Sequence, residues 1–348
     1  MTAPIAYRAL ALQTRCDAIN GLKPAEARAQ MQRAIERIDG QIGSSKGFIG
    51  PDLKLVVLPE YFLTGFPIGE SIAQWQAAAA LRNDGDEFRQ LGEIARRHGI
   101  YLSGNAYEVD DAFPELYFQS SFILDDDGKL ILRYRRLLSM FAPTPHDVWD
   151  RYLEVHGYEA VFPVADTPLG RLAVIASEEI LYPEIARAVA LQGAEVLLHS
   201  TSEVGSPRLT PKDIGKRARA VENMAYVVSA NSAGIHSREA SVPSQSADGM
   251  SKIVNHTGDV LVEAGYGESM VANAIIDIDD LRRARARPGM ANVLSRQRLE
   301  LFRPVYEGSV HPANLMLGQN GEVVVPDRKN FVETQREIID RLRRAKRL

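Results

Sequence analysis

Gly170-Arg-Leu-Ala-Val-Ile-Ala-Ser-Glu-Glu-Ile-Leu-Tyr-Pro-Glu-Ile-Ala-Arg187 is the stretch on which the reading of this chain turns. Its first part, Arg171 to Ala176, is a short apolar run consistent with a strand. A helix is expected from about Pro183 to Gln192, so Ser177, Glu178 and Glu179 fall in the turn between strand and helix. Downstream, Glu195-Val-Leu-Leu-His199 reads as a strand, Pro211 to Ala225 as a helix and Tyr226-Val-Val-Ser-Ala-Asn231 as a strand. Ser251–Val254 and Val260–Glu263 then flank a turn at Asn255–Asp259, the pattern of a hairpin.

Upstream the same alternation holds. Ile5–Gln13 is a short apolar opening strand, and Leu53-Lys-Leu-Val-Val-Leu-Pro59 a buried strand ending at a proline. Between them, Ala27, Met31, Ala34, Ile35 and Ile38 recur at helical spacing, predicting an amphipathic helix over Pro24–Ile42 with proline in its first turn. Glu87–His98 reads as a helix closed by Gly99, followed by a strand over Ile100–Gly104. Phe118–Leu124 and Lys129–Arg135 flank Asp125-Asp-Asp-Gly128 as a second hairpin. Strands alternating with helices and interrupted by hairpins indicate an α/β layered protein with mixed sheets.

No repeat, low-complexity tract or flexible linker divides the chain, so residues 1–285 are expected to form one domain. Residues 286–348 are less regular and broken by Pro288, Pro304 and Pro312. Leu294, Leu299, Leu301, Phe302 and Leu315 in this arm call for cover, either by the domain or by a partner subunit. A homodimer or larger homo-oligomer is therefore expected.

The composition, 45% hydrophobic and 25% charged over 348 residues, is that of a chain able to bury a sizeable core. A net charge of −4 gives no support for nucleic-acid binding. The single cysteine, Cys16, excludes an internal disulfide, and the histidines at 98, 146, 156, 199, 236, 256 and 311 lack metal-ligand spacing. The N-terminus carries no apolar stretch of signal-peptide length, and no run approaches the roughly 18 apolar residues of a membrane span. A cytoplasmic protein with a small-molecule substrate or ligand is the expectation.

Three segments, in order, resemble the signature regions of the nitrilase (carbon–nitrogen hydrolase) superfamily. Leu58-Pro-Glu-Tyr-Phe-Leu-Thr-Gly-Phe-Pro67 is similar to the segment that carries the family's catalytic glutamate, which falls on Glu60. Gly128-Lys-Leu-Ile-Leu-Arg-Tyr-Arg-Arg-Leu-Leu138 is similar to the segment holding its lysine, which falls here on Arg136. The Gly170–Arg187 stretch resembles the strand-to-turn segment of the cysteine nucleophile, whose position is held by Ser177. The resemblance runs from about residue 5 to 280 and includes Gly193–Leu198 and Arg219–Val228. It implies a four-layer α-β-β-α sandwich that dimerises through helix faces, and hydrolysis or transfer at an amide, carbamoyl or nitrile carbon through a covalent acyl-enzyme. It implies no metal or organic cofactor.

A thiol with a reference pKa of about 8.5 is readily converted to thiolate, whereas a serine hydroxyl needs a base within about 3 Å. In the family pattern Glu60 would be that base. Arg136 stays protonated, so it can stabilise an oxyanion or anchor an anion but cannot shuttle a proton. Each residue also has a structural reading: Glu60 as partner of Arg136, Ser177 as a small residue capping the following turn. Further candidates for the substrate-binding wall are Glu178, Glu179, Asp147 in the loop Pro143–Trp149, and His199, which also suits a satisfied core or rim histidine. Two functions follow: an amide hydrolase or acyl transferase with an atypical Glu-Arg-Ser triad, or a catalytically inactive relative that binds a small amide or anionic ligand. A deliberately disarmed nucleophile would need only the serine, and the arginine speaks against it.

Overall fold

The computed structural model describes residues 5–206, 208–237, 247–308 and 310–348. In its first half the strands are β1 (Ala6–Ala11), the two-residue β2 (Cys16–Asp17), β3 (Leu53–Val57), β4 (Tyr101–Val109), β5 (Tyr117–Leu124) and β6 (Leu130–Arg135). The second half supplies β7 (Ala165–Thr167), β8 (Gly170–Ala176), β9 (Val196–Thr201), β10 (Tyr226–Asn231), β11 (Ile235–His236), β12 (Lys252–Val254), β13 (Val260–Glu263) and β14 (Asn273–Asp277). They form two six-stranded sheets, ordered β14-β1-β3-β4-β5-β6 and β13-β12-β10-β9-β8-β7, beside a ribbon of β2 and β11. The centres, β1-β3-β4 and β8-β9-β10, are parallel, and the hairpins add antiparallel edges.

Side-chain alternation sets the layers. Leu55 and Val57 of β3 meet Leu172 and Val174 of β8 and Val196 and Leu198 of β9 in the space between the sheets. Val56 and Leu102, pointing the other way, pack under α1 (Pro24–Ile49) and α2 (Asp86–His98) through Met31, Ile35, Ile38, Leu91 and Ile94. On the far side, Ala173, Ile175, Leu197 and Val227 pack under Pro183–Leu191 and Pro211–Asn223 through Ala186, Val189 and Ala220. The result is the expected α-β-β-α sandwich. The central strands are apolar on both faces because each face is covered.

Two elements are longer than the apolar pattern predicts. The α1 helix continues past Ile42 to Ile49 through Gly43, where an added Cβ would stand 3.2 Å from the ring of His98. The missing side chain lets the end of α2 close onto α1. Strand β4 runs on to Val109 although Ser103, Asn105 and Glu108 are polar. These residues are buried, and Asn105 Nδ2 donates to Ser121 Oγ across the sheet at 3.0 Å while Glu108 pairs with Arg135.

Past residue 286 the chain reaches back to the loop before Trp149. The N–H groups of Asn314 and Met316 donate to the carbonyls of His146 (3.0 Å) and Asp147 (2.8 Å), and Met316 is buried. Leu301, Phe302, Val305 and Tyr306 stay exposed, and the helix Arg328–Arg344 has no buried residue. Among the described residues no helix is long and apolar enough to cross a membrane.

Candidate active site

The site lies beyond the C-terminal ends of the strands, where an α/β sheet leaves room for a ligand. Glu60 follows β3, Arg136 follows β6, Ser177 follows β8 and Thr201 ends β9. Ser177 turns sharply out of its strand with φ +47°, and Tyr61, next to Glu60, has φ +60°. Left-handed backbone at a residue with a Cβ costs about 1–2 kcal/mol and persists only where neighbours enforce it.

Those neighbours are identifiable at Ser177. His199, fully buried in β9, donates from Nε2 to the Ser177 carbonyl at 2.8 Å and accepts at Nδ1 from Ser229 Oγ at 2.8 Å. A carbonyl can only accept, which fixes the tautomer. Burial first, then the nearby Lys216 ammonium, holds His199 well below the usual histidine range, so the ring is neutral. The turn Ser177–Leu181 is closed further by Arg219, whose Nε donates to the Ile180 carbonyl at 2.9 Å.

Glu60 is 1% exposed, and its carboxylate is already engaged. Oε1 accepts from Gln119 Nε2 at 2.7 Å and from Arg136 Nη1 at 3.3 Å, and Oε2 accepts from Ser202 Oγ at 2.7 Å. Among the described residues Glu60 makes no hydrogen bond to Ser177, so the expected base–nucleophile contact is not formed. The pairing with Arg136 is one-pronged, because the guanidinium is shared. Its Nε donates to the Leu138 carbonyl at 2.7 Å, Nη1 also to Gln119 Oε1 at 2.7 Å, and Nη2 to Glu178. Burial alone would push Arg136 down, but the surrounding carboxylates, Glu60 foremost, hold it above the usual arginine range.

What meets the Ser177 hydroxyl is Lys212, a residue the sequence reading did not single out. Its Nζ donates to Ser177 Oγ at 3.3 Å and to Thr201 Oγ1 at 3.2 Å. Lys212 lies in the first turn of the helix Pro211–Asn223, whose Lys212, Gly215, Lys216 and Arg219 share one face. That face presses on the 177–181 turn: a Cβ on Gly215 would stand 2.9 Å from the Ile180 carbonyl. The helical spacing of these residues places them on one face, but nothing in the sequence shows that this face meets the Ser177 turn. Ser177 does not cap the turn that follows it; the capping position is Ala176, and the hydroxyl is turned to Lys212.

The remaining candidates separate. Glu178 is half-exposed and faces Arg136. Glu179 is fully buried and accepts from Leu137 N (2.7 Å), Leu138 N (3.0 Å) and Tyr134 Oη (2.8 Å), so it ties the turn to the Arg136 segment rather than lining a wall for substrate. Burial pushes its carboxyl up to about 7, against the pull of Arg136. Asp147 accepts from Thr144 N (2.8 Å) and Thr144 Oγ1 (2.7 Å), a local cap, and these contacts reach none of the groups at Ser177. His199 has both ring nitrogens occupied and no exposed surface, so it supports the Ser177 backbone and cannot touch a substrate. Among the described residues no group of three or more His, Cys, Asp or Glu could hold a metal ion.

Ser177, Glu60, Arg136 and Lys212 thus stand together at the strand ends of an α-β-β-α sandwich. The chain belongs to the carbon-nitrogen hydrolase family, whose sequence profile matches residues 13–286. It is 28% identical over 238 residues to a deaminated glutathione amidase of Yersinia enterocolitica, covering 67% of this chain and 78% of that one. It is 28% identical over 253 residues to an omega-amidase of Homo sapiens, covering 72% of this chain and 84% of that one. The fold matches a nitrilase-superfamily member of Saccharomyces cerevisiae with a TM-score of 0.61 at 24% identity, covering 82% of this chain and 96% of that one. A carbon-nitrogen hydrolase of Helicobacter pylori matches with a TM-score of 0.67 at 18% identity, covering 87% and 99%.

Proposed function

We propose that this chain is a hydrolase or acyl transferase acting at the C–N carbon of a small amide or carbamoyl compound, with Ser177 as the nucleophile. The observation that carries this reading is the Ser177 hydroxyl itself. It stands on a strained turn at the end of β8 and meets an amine instead of a backbone capping partner. Strain enforced by His199, Glu179 and Arg219 at one hydroxyl is what a positioned nucleophile requires. The amidase names of the relatives support the C–N substrate class. Arg136 and Glu60 then act as a fixed, buried charged pair at the strand ends.

One observation favours a second reading, a binding protein without turnover: the Glu60 carboxylate already has three donors and makes no hydrogen bond to Ser177. The two separate on treating the protein with 4-nitrophenyl acetate and weighing it intact. The hydrolase reading expects one acetyl group on Ser177, absent in Ser177→Ala, with release of 4-nitrophenol above background. An unmodified Ser177 under conditions where the protein is folded supports the binding protein.

A further inference from the structure

We infer that Lys212, not Glu60, takes the proton from Ser177 and returns it to the leaving group. This rests on the proposed nucleophile and adds the identity of its base. The geometry starts with the 3.3 Å between Lys212 Nζ and Ser177 Oγ, just beyond the ~2.6–3.2 Å reach of a catalytic hydrogen bond, which tightens when substrate binds. Glu60 has its carboxylate on Gln119, Arg136 and Ser202.

The two buried lysines nearby, Lys216 and Lys252, differ from the half-buried Lys212 in their partners. Lys216 is paired with Glu203, and Lys252 with Asp213 at 2.6 Å and with Glu263. Among the described residues the hydrogen-bond partners of Lys212 Nζ are two hydroxyls, those of Ser177 and Thr201. Among the described residues no carboxylate is hydrogen-bonded to Lys212 Nζ, and Asp213 and Glu203 are engaged by its neighbours. Lys212 also occupies the first turn of its helix, the end where a cation is least favoured. Close to it stand the neutral His199 of β9 and, on its own helix, Asp213 and Lys216, both tied to other partners. Two features hold the amine in place: the capping box of Thr210 with Asp213, and the Gly215 contact that brings the helix against the turn.

The chemistry balances within the site. As Ser177 Oγ bonds the carbonyl carbon, its proton passes to the lone pair of Lys212 Nζ and the C=O π pair moves onto oxygen. Collapse of the tetrahedral species breaks the C–N bond, and the departing nitrogen takes the proton from the Lys212 ammonium. Water then attacks the acyl-serine, giving its proton to Lys212, and the ammonium reprotonates Ser177 Oγ as the acid leaves. Lysine serves as base with serine in other hydrolase folds by the same exchange.

The test is the rate of Ser177 acetylation by 4-nitrophenyl acetate across pH, for the wild type, Lys212→Ala, Lys212→Met and Lys212→Arg. Lys212→Ala and Lys212→Met are expected to slow acetylation by about 10²–10⁴-fold. Lys212→Arg stays protonated and so cannot accept the Ser177 proton, and is expected to be as slow. Added methylamine and weaker primary amines should partly restore Lys212→Ala, with rates and pH midpoints following the basicity of the amine. A Lys212→Arg protein acetylated at the wild-type rate overturns the base assignment and leaves the nucleophile standing. Lack of amine rescue in a folded Lys212→Ala overturns it too. A wild type that is never acetylated removes the proposed function and this inference together.

Discussion

His199 Nε2 donates to the main-chain carbonyl of Ser177 at 2.8 Å, so the interior of one strand fixes the backbone of the turn that ends its neighbour. His199→Ala would leave that carbonyl and the Ser229 hydroxyl without partners in a dry layer, and a cavity where the ring was. Each orphaned group costs about 1–3 kcal/mol, and the loss expected from urea midpoints is about 3–5 kcal/mol. His199→Gln, which can still donate and accept, should recover part of it. A loss below about 1 kcal/mol for His199→Ala would show that the ring does not anchor the turn.

The φ of +47° at Ser177 makes a second expectation specific. Ser177→Gly and Ser177→Ala both remove the hydroxyl and its contact with Lys212, but only alanine keeps the Cβ that the left-handed region penalises. The glycine variant should therefore be more stable than the alanine variant by about 1 kcal/mol, while neither is acetylated. Equal unfolding midpoints would mean that the turn relaxes and stores no strain.

Arg136 is expected to be intolerant of a shorter cation. Its guanidinium reaches Leu138, Gln119, Glu60 and Glu178 at once, a fork that a lysine ammonium cannot reproduce. Arg136→Met removes the positive partner of Glu60, which is 1% exposed, and should cost about 3–5 kcal/mol by chemical denaturation. Arg136→Lys should fall between the two. If Arg136→Met unfolds at the wild-type midpoint, the pair contributes nothing to the fold.

The layers were legible because the central strands are apolar on both faces and the helices carry one apolar stripe, so Val56 and Val57 already imply opposite neighbours. Glu60, Arg136 and the Ser177 turn were legible as ordered motifs at strand ends. The Lys212 contact was hidden for a physical reason. It depends on how closely a helix approaches a turn, which Gly215 sets by lacking a Cβ, and no periodicity in the chain reports that distance. Asp147 and Glu179 misled in the same way: an acid in a motif looks alike whether its oxygens face a cleft or cap local backbone, and only the folded partners distinguish the two.

Glu179 gives the last expectation, in pH. Its carboxyl ordinarily titrates near 4.5 and is pushed up to about 7 by burial, so the folded protein favours the protonated form. The stability this contributes is complete below about pH 4.5 and is lost as pH rises to about 7. The shift corresponds to about 3 kcal/mol. His199 acts in the opposite sense over an overlapping range: held below its usual value of 6.5, it contributes stability above that pH which is lost as pH falls. The total curve therefore blends two slopes, and the informative quantity is the difference between wild type and Glu179→Gln. The amide keeps an oxygen for the Leu137 and Leu138 N–H groups but does not titrate. Measured by urea unfolding from about pH 4 to about pH 8, the stability of the wild type relative to Glu179→Gln should fall by about 3 kcal/mol across the window. A difference that is flat across the same range would show that Glu179 is ionised throughout, held as a carboxylate by Arg136 and the two backbone donors.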